Sequence, residues 1–254
     1  TVVVKPSRNT PNVTAVIKEI LSIFPDEYVY VVTEDEKIND LFDEKFDFIF
    51  YTGSANVARD LIARQAEYIT PMVLELGGKS PVVVHPSIDL NVVAERVAFG
   101  KLWNAGQTCV APDYLYLPRG KTAEFIRCYK AVVKSMYPSL KDNPDYTSII
   151  NDKQNRRLQG YLDDALKNGA QSVEVNPRNE DLTAVRKLAP TILTGVTADM
   201  EIMKNEIFGP ILPILEYDQI DEVIEFINDR PRPLALYYFD FNDARAEYVA
   251  QRTH

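Results

Sequence analysis

Cysteine and histidine are scarce: Cys109, Cys128, His85 and His254 are the only ones in 254 residues. Two cysteines without a framework spacing neither staple a small fold nor make a zinc site, and two distant histidines add no ligand cluster, so no metal is expected. Basic charge is also short, with 28 Lys and Arg against 37 Asp and Glu for a net charge of −9. The acidic residues are spread along the chain, which leaves no electrostatic footprint for nucleic acid or for an anionic membrane. Long apolar runs are missing, since none approaches the roughly 18 residues that suggest a bilayer span. The opening TVVVKPSRNTP has no charged start, long apolar centre or small-residue cleavage site, so it does not read as a signal peptide. These absences predict a protein of a reducing compartment, cytoplasmic, with neither nucleic acid nor a membrane span among its attributes. What is present is apolar residue in quantity, 46% of the chain, enough to bury a substantial core.

The patterning alternates between strand and helix. Thr1–Val4 reads as a strand already in progress, and a first residue that is Thr rather than Met predicts part of a longer chain. Thr10 and Pro11 then serve as cap and first helical position before the periodic VTAVIKEILSIF. YVYVVT is strand-like, KINDLFDEKF helical, FDFIFYTG strand-like and SANVARDLIARQAEYI helical. This order predicts an α/β fold with a parallel sheet and crossover helices. Further helices are expected near Leu90–Trp103, Thr122–Met136, Gln154–Asn168, Gln219–Asn228 and Asp243–Arg252, with short strands between them. No repeat or low-complexity linker interrupts the chain, and the Gly77-Gly78 pair is the best candidate for a boundary.

Cys109 lies between a small-residue turn and a strand-like run, in WNAGQTCVAPDYLYL. A cysteine acts as a nucleophile only as thiolate and needs a partner to manage protons. Neither His85 nor His254 sits in a motif suggesting a protease-like pair. Glu75 in VLELGGK is the stronger acid/base candidate: a carboxylate among apolar residues is expected to be buried, which raises its pKa toward the range of a general base. Taken alone, each residue also has a plainer reading. Cys109 fits a packed core position, as Cys128 does on its amphipathic helix, and Glu75 fits a structural ion pair.

The order of the motifs narrows these alternatives. VVVKPS, YTGS, LELGGKSP, GQTCVAPD and EIFGPILPI, at these separations, resemble the aldehyde dehydrogenase superfamily over essentially the whole chain, and IINDKQNRRLQG and RPRPLALYYF look most like its class 3 branch. The resemblance implies a partial Rossmann-type cofactor domain over 1–77 followed by an α/β catalytic domain over 78–254. It implies that Cys109 attacks an aromatic or medium-to-long aliphatic aldehyde to give a thiohemiacetal, then a thioester that Glu75-activated water hydrolyses. NAD or NADP would be the cofactor. Lys5 and Arg8 would lie near its adenosine ribose, Gly53 and Ser54 at its pyrophosphate, Leu76 and Gly77 on the approach to Glu75, and Glu206 and Phe208 at its nicotinamide end. A homodimer of the full-length protein is implied as well.

Three departures from the family pattern matter. Arg8 stands where the family usually has Glu, and Arg can pair with a 2′-phosphate that Glu would repel, so better use of NADP is expected. Ala58 replaces the glycine that closes the family's turn after Ser54. The family protein is also longer at both ends, and the asparagine that helps hold its oxyanion lies outside these residues; Asn104 is not that residue. Losing one such donor typically costs about 2.7–4 kcal/mol of barrier, so little turnover is expected if the protein consists of these residues alone. A CoA-acylating dehydrogenase and a non-catalytic nucleotide-binding or interaction module are the other classes the sequence keeps open.

Overall fold

The structure is a computed structural model that describes residues 1–33 and 41–254. The first four residues of the expected KINDLFDEKF helix lie outside the described residues; of the rest, Leu41 and Phe42 are helical and the chain then turns, so the expected helix does not extend to Phe46. The chain forms two compact units, Thr1–Glu75 and Leu76–His254.

The first unit alternates as expected. Strand β1 (Val2–Val4) is followed by α1 (Pro11–Leu21), with Thr10 as N-cap and Pro11 at the first helical position, where its missing N–H costs nothing. Strand β2 (Val29–Val31) returns parallel to β1, with Val2 opposite Val29 and Val4 opposite Val31. Strand β3 (Ile49–Gly53) leads into α2 (Ala55–Gln65), and β4 (Met72–Leu76) begins beside β3, whose first N–H, from Ile49, donates to Pro71 O at 3.0 Å. Ser54 caps α2 by accepting the Val57 N–H. Ala58 is buried on that helix with its N–H on Ser54 O at 3.0 Å, so its methyl group is accommodated within regular helix.

The second unit is built on a six-stranded sheet in the order β10-β5-β6-β9-β8-β7. Its strands are β5 (Pro81–Val84), β6 (Tyr114–Pro118), β7 (Gln171–Glu174), β8 (Thr191–Thr194), β9 (Ile211–Tyr217) and β10 (Tyr237–Phe239). All neighbours run parallel except β7 against β8. Every residue of β5 and β6 is buried, which explains why PVVV and YLYLP read as continuous apolar runs rather than as alternation.

The helices are α3 (Leu90–Leu102), α4 (Thr122–Met136), α5 (Asp152–Lys167), α6 (Glu201–Lys204), α7 (Ile220–Asn228) and α8 (Asp243–Arg252). Helix α4 buries Phe125, Cys128, Tyr129 and Val133, a stripe at helical spacing, and Cys128 is the core residue its pattern predicts. Caps fix the entries to three of the others: Asp89 takes Asn91 N–H at 2.8 Å, Asn151 takes Gln154 N–H at 2.9 Å, and Asn242 takes Arg245 N–H at 3.0 Å. Because β5, β6 and β9 are adjacent and parallel, the segments that precede them all arrive at the same end of the sheet. Those segments are Leu76–Ser80, Gln107–Asp113 and Asn205–Pro210.

Candidate functional site

Cys109 occupies a turn rather than the core. Ala111 N–H donates to Thr108 O at 3.0 Å, which places Cys109 and Val110 at the corners, and the Cys109 residue is exposed. The core reading of this cysteine is therefore corrected: the chain leaves α3 through Asn104, Ala105 and Gly106, all at positive φ (52°, 52° and 73°), and that reversal carries the following residues outward. Gln107 anchors the turn from below. Its amide donates to Asn104 O and Ser148 O, each at 3.1 Å, and its carbonyl accepts the Ile150 N–H at 2.9 Å.

The three loops at this end of the sheet are tied together by a buried ion pair. Lys79 and Asp113 pair with side chains 11% and 3% exposed. The Lys79 ammonium also donates to Ile202 O at 2.7 Å and Asn205 O at 3.1 Å, while the second Asp113 oxygen accepts the Ile207 N–H at 2.8 Å. Arg157 of α5 completes the frame by donating to Glu206 O at 3.1 Å and Ile207 O at 2.7 Å. The fully buried Lys101 lies in the same field. Burial pushes its pKa down to about 8, and Asp113 opposes that shift.

Within this frame Glu206 is half-buried. It rests on Gly77, where an added β-carbon would collide with the carboxylate, and it accepts the Gly78 N–H. Burial raises its pKa, and the Gly78 N–H works in the opposite sense. Phe208 holds a left-handed backbone (φ 49°) and is 40% exposed, a strained conformation of the kind found at ligand sites. Gly106 faces the Gly209 backbone so closely that no side chain fits between them, which brings the Cys109 loop and the Phe208 loop together.

Sequence reasoning missed Tyr237, whose hydroxyl donates to Val110 O at 2.6 Å. Burial raises its pKa, and the neighbouring Cys109 charge raises it further. An apolar groove lined by Phe99, Trp103, Val110, Met136, Tyr237 and Phe239 runs beside this turn. The tyrosine's strand is only three residues long, and nothing in its local pattern marked it. Lys79, Asp113 and Arg157 were likewise missed, although Lys79 and Asp113 lie inside the two most distinctive motifs.

The remaining expected residues belong to the first unit or its edge. Lys5 and Arg8 wall one small pocket at the end of β1. Gly53 ends β3 and Ser54 starts α2, so hydroxyl and backbone donors stand at a helix N-terminus. Glu75 is exposed, which corrects the expectation of burial. Along Met72–Leu76 burial alternates, and Glu75 shares the outward face of β4 with Val73, as a period of two requires. Leu76 and Gly77 are part-buried. His85 bonds Ser87 at 2.8 Å, and His254 bonds Asn228 at 2.9 Å and Arg230 O at 3.1 Å; neither hydrogen-bonds Cys109. Among the described residues no group of three His, Cys, Asp or Glu could hold a metal ion, and no helix is long and apolar enough to cross a membrane.

Comparison with known proteins identifies the family. The sequence profile of the aldehyde dehydrogenase family matches residues 1–254. A probable coniferyl aldehyde dehydrogenase from Pseudomonas aeruginosa is 44% identical over 255 residues, covering 100% of this chain and 53% of that protein. Aldehyde dehydrogenase family 3 member A2 from Mus musculus is 38% identical, covering 99% of this chain and 51% of its own length. Among solved structures, a substrate-bound Staphylococcus aureus AldH superimposes with a TM-score of 0.91 at 38% identity, covering 100% of this chain and 55% of that one. An NAD+ complex of a Mycobacterium tuberculosis aldehyde dehydrogenase does so with a TM-score of 0.87 at 28% identity, covering 100% of this chain and 54% of that one. The chain thus spans about half the length of the relatives it matches.

Proposed function

The chain belongs to the aldehyde dehydrogenase family, and from that premise we propose that it carries the nucleophile and cofactor contacts for oxidising an aldehyde to a carboxylic acid. The observation that carries the reading is the exposed Cys109 turn, held beside the Glu206–Gly209 segment by the Lys79–Asp113 pair and the Gly106 contact.

Cys109 thiolate adds to the aldehyde carbon, giving a thiohemiacetal. Loss of hydride from that carbon leaves a thioester on Cys109. Glu75 takes a proton from water, the hydroxide adds to the thioester carbonyl, and the acid leaves as the thiol is released. A nicotinamide dinucleotide, when bound, supplies the hydride acceptor. The residues fit such a group chemically: Ser54 and the first N–H groups of α2 offer donors for a pyrophosphate, and Glu206 offers a carboxylate acceptor for a ribose diol. The aromatic groove beside Cys109 supports an aromatic or medium-to-long aliphatic aldehyde, in keeping with a relative whose name specifies coniferyl aldehyde. Cytoplasmic location and pairing of two copies in a longer protein belong to the same reading. The comparisons favour neither a CoA-acylating enzyme nor a non-catalytic module.

Single-turnover mass spectrometry with benzaldehyde and NAD or NADP tests the chemistry without depending on turnover rate. An acyl adduct on Cys109 is expected, lasting longer in Glu75→Gln and absent in Cys109→Ser. Aldehyde oxidation by Cys109→Ser within about a hundredfold of the parent would overturn the assignment.

A further inference from the structure

We propose that Tyr237 is a positioning residue for the nucleophile: its hydroxyl bolts the Cys109 turn to strand β10 and so holds the sulfur for attack on the aldehyde carbon. The inference rests on the aldehyde-oxidation reading above and extends it. Strand β10 runs parallel to β5, with Tyr237 opposite Val82 and Phe239 opposite Val84. Tyr237 is the first residue of that strand, so it stands at the end of the sheet where the 107–113 segment arrives. From there its Oη donates to Val110 O at 2.6 Å, at the short end of the O–H···O range, across 127 residues of sequence.

The Cys109 turn has few other ties. Its flanks are fixed, on one side by the Gln107 amide and on the other by Asp113, whose N–H donates to Ser80 O at 2.8 Å. Between them Cys109 and Val110 are exposed and draw little from packing. The peptide joining Val110 to Ala111 is the part of the corner that is held. Its N–H donates to Thr108 O at 3.0 Å and its carbonyl accepts the Tyr237 hydroxyl, so both polar atoms of one peptide plane are engaged. Among the described residues no other side chain hydrogen-bonds residues 108–111.

A tyrosine has one O–H, and here it is committed to Val110 O, so the hydroxyl holds the turn rather than solvating the sulfur. Burial raises the Tyr237 pKa and the Cys109 charge raises it further, so the tie keeps its proton when the nucleophile is charged. The ring packs against the core cluster that contains Val82 and Val84, which gives the hydroxyl a fixed base. Attack needs the reacting atoms about 3–3.5 Å apart and aligned, and a misplacement of about 1 Å can cost about a hundredfold. Loss of the tie should therefore lower the rate of attack and leave aldehyde affinity alone.

Single-turnover acylation of Cys109 by benzaldehyde with NAD or NADP, followed by mass spectrometry in Tyr237→Phe, removes the hydroxyl and keeps the ring. The maximal rate should fall at least about tenfold, while the half-saturating aldehyde concentration moves less than about threefold. Alkylation by iodoacetamide, which needs no alignment with a bound aldehyde, should keep its pH midpoint within about 0.3 unit of the parent's. Tyr238→Phe controls for the strand itself. Tyr238 donates to Asp240 at 3.0 Å and packs against the other core cluster, so this variant should acylate within about twofold of the parent. An unchanged maximal rate in Tyr237→Phe, or an equal fall in Tyr238→Phe, overturns the inference and leaves the aldehyde reading standing. An alkylation midpoint raised by about one unit in Tyr237→Phe would mean that the hydroxyl solvates the sulfur instead, and overturns the inference too. No acyl adduct on Cys109 in the parent removes both.

Discussion

Two acidic residues show how much the surroundings decide at the scale of a single side chain. Glu75, flanked by leucines in sequence, is exposed, whereas Asp240, in the unremarkable stretch FDFND, has a side chain that is 0% exposed. Asp240 receives Arg245 through Nε at 2.6 Å and a second guanidinium nitrogen at 2.7 Å, with Tyr238 Oη and Asn242 N–H each at 3.0 Å. The Arg245 fork is the main reason its pKa lies well below the usual carboxylate range, against a smaller opposing effect of burial. The folded-state pKa is depressed, so the stabilisation is present above the unfolded value of about 3.9 and is lost as pH falls through it toward the folded value. Asp240→Asn should therefore cost about 1–2 kcal/mol at pH 7, a figure discounted because Arg245 is half-exposed. Urea midpoints across the acid range should show the gap between parent and variant closing from about pH 5 downward. A gap as wide at pH 3 as at pH 7 would mean that the fork contributes nothing.

At the scale of elements, apolar periodicity located helices well and said little about backbone handedness. Helices α4 and α8 span Thr122–Met136 and Asp243–Arg252, the ranges their patterns predict: α4 packs its apolar stripe beside α3, and α8 starts at the Asn242 cap and buries Val249. The reversal through Asn104, Ala105 and Gly106 had no such signature. Only Gly106 is a residue type suited to positive φ, and what fixes the turn is a distant backbone, that of Gly209. The exposure of Cys109 was illegible for the same reason, since local pattern cannot register a contact between segments so far apart in sequence. Gly106 and Gly120 make a controlled pair: φ is 73° and 79°, but an added methyl group at Gly106 meets the Gly209 and Lys101 backbones, whereas at Gly120 it meets nothing within 4 Å. Gly120→Ala should cost only the conformational penalty of about 1–2 kcal/mol. Gly106→Ala adds a backbone collision and should exceed it by at least about 2 kcal/mol in urea unfolding. Equal costs would show that handedness alone, not the approach of the Gly209 loop, sets the demand for glycine there.

Across the whole molecule, burial is divided unevenly. In the first unit the buried apolar residues are Val31, Val32, Phe42, Ala58 and Leu61 among the described residues, whereas the second unit contains both large core clusters. Helix α1 makes the contrast plain: Val13, Val16 and Ile20 form an apolar stripe at helical spacing, continued by Ile23 just past its end, yet they are 55%, 53%, 61% and 77% exposed, and Thr14 is the helix's single buried residue. An amphipathic pattern reports which face could be buried and not whether a partner covers it, so the sequence could place this helix but could not tell how firmly it is held. A helix of 11 residues gains little from propensity alone, and a core this small leaves its unit marginal. Hydrogen exchange read by mass spectrometry should find α1 and β2 opening at least about 2 kcal/mol more easily than β5, β6 and β9. Protection in α1 matching that of the buried strands β5 and β6 would mean that the two units unfold as one cooperative block, and that α1 draws its stability from contacts outside its own apolar face.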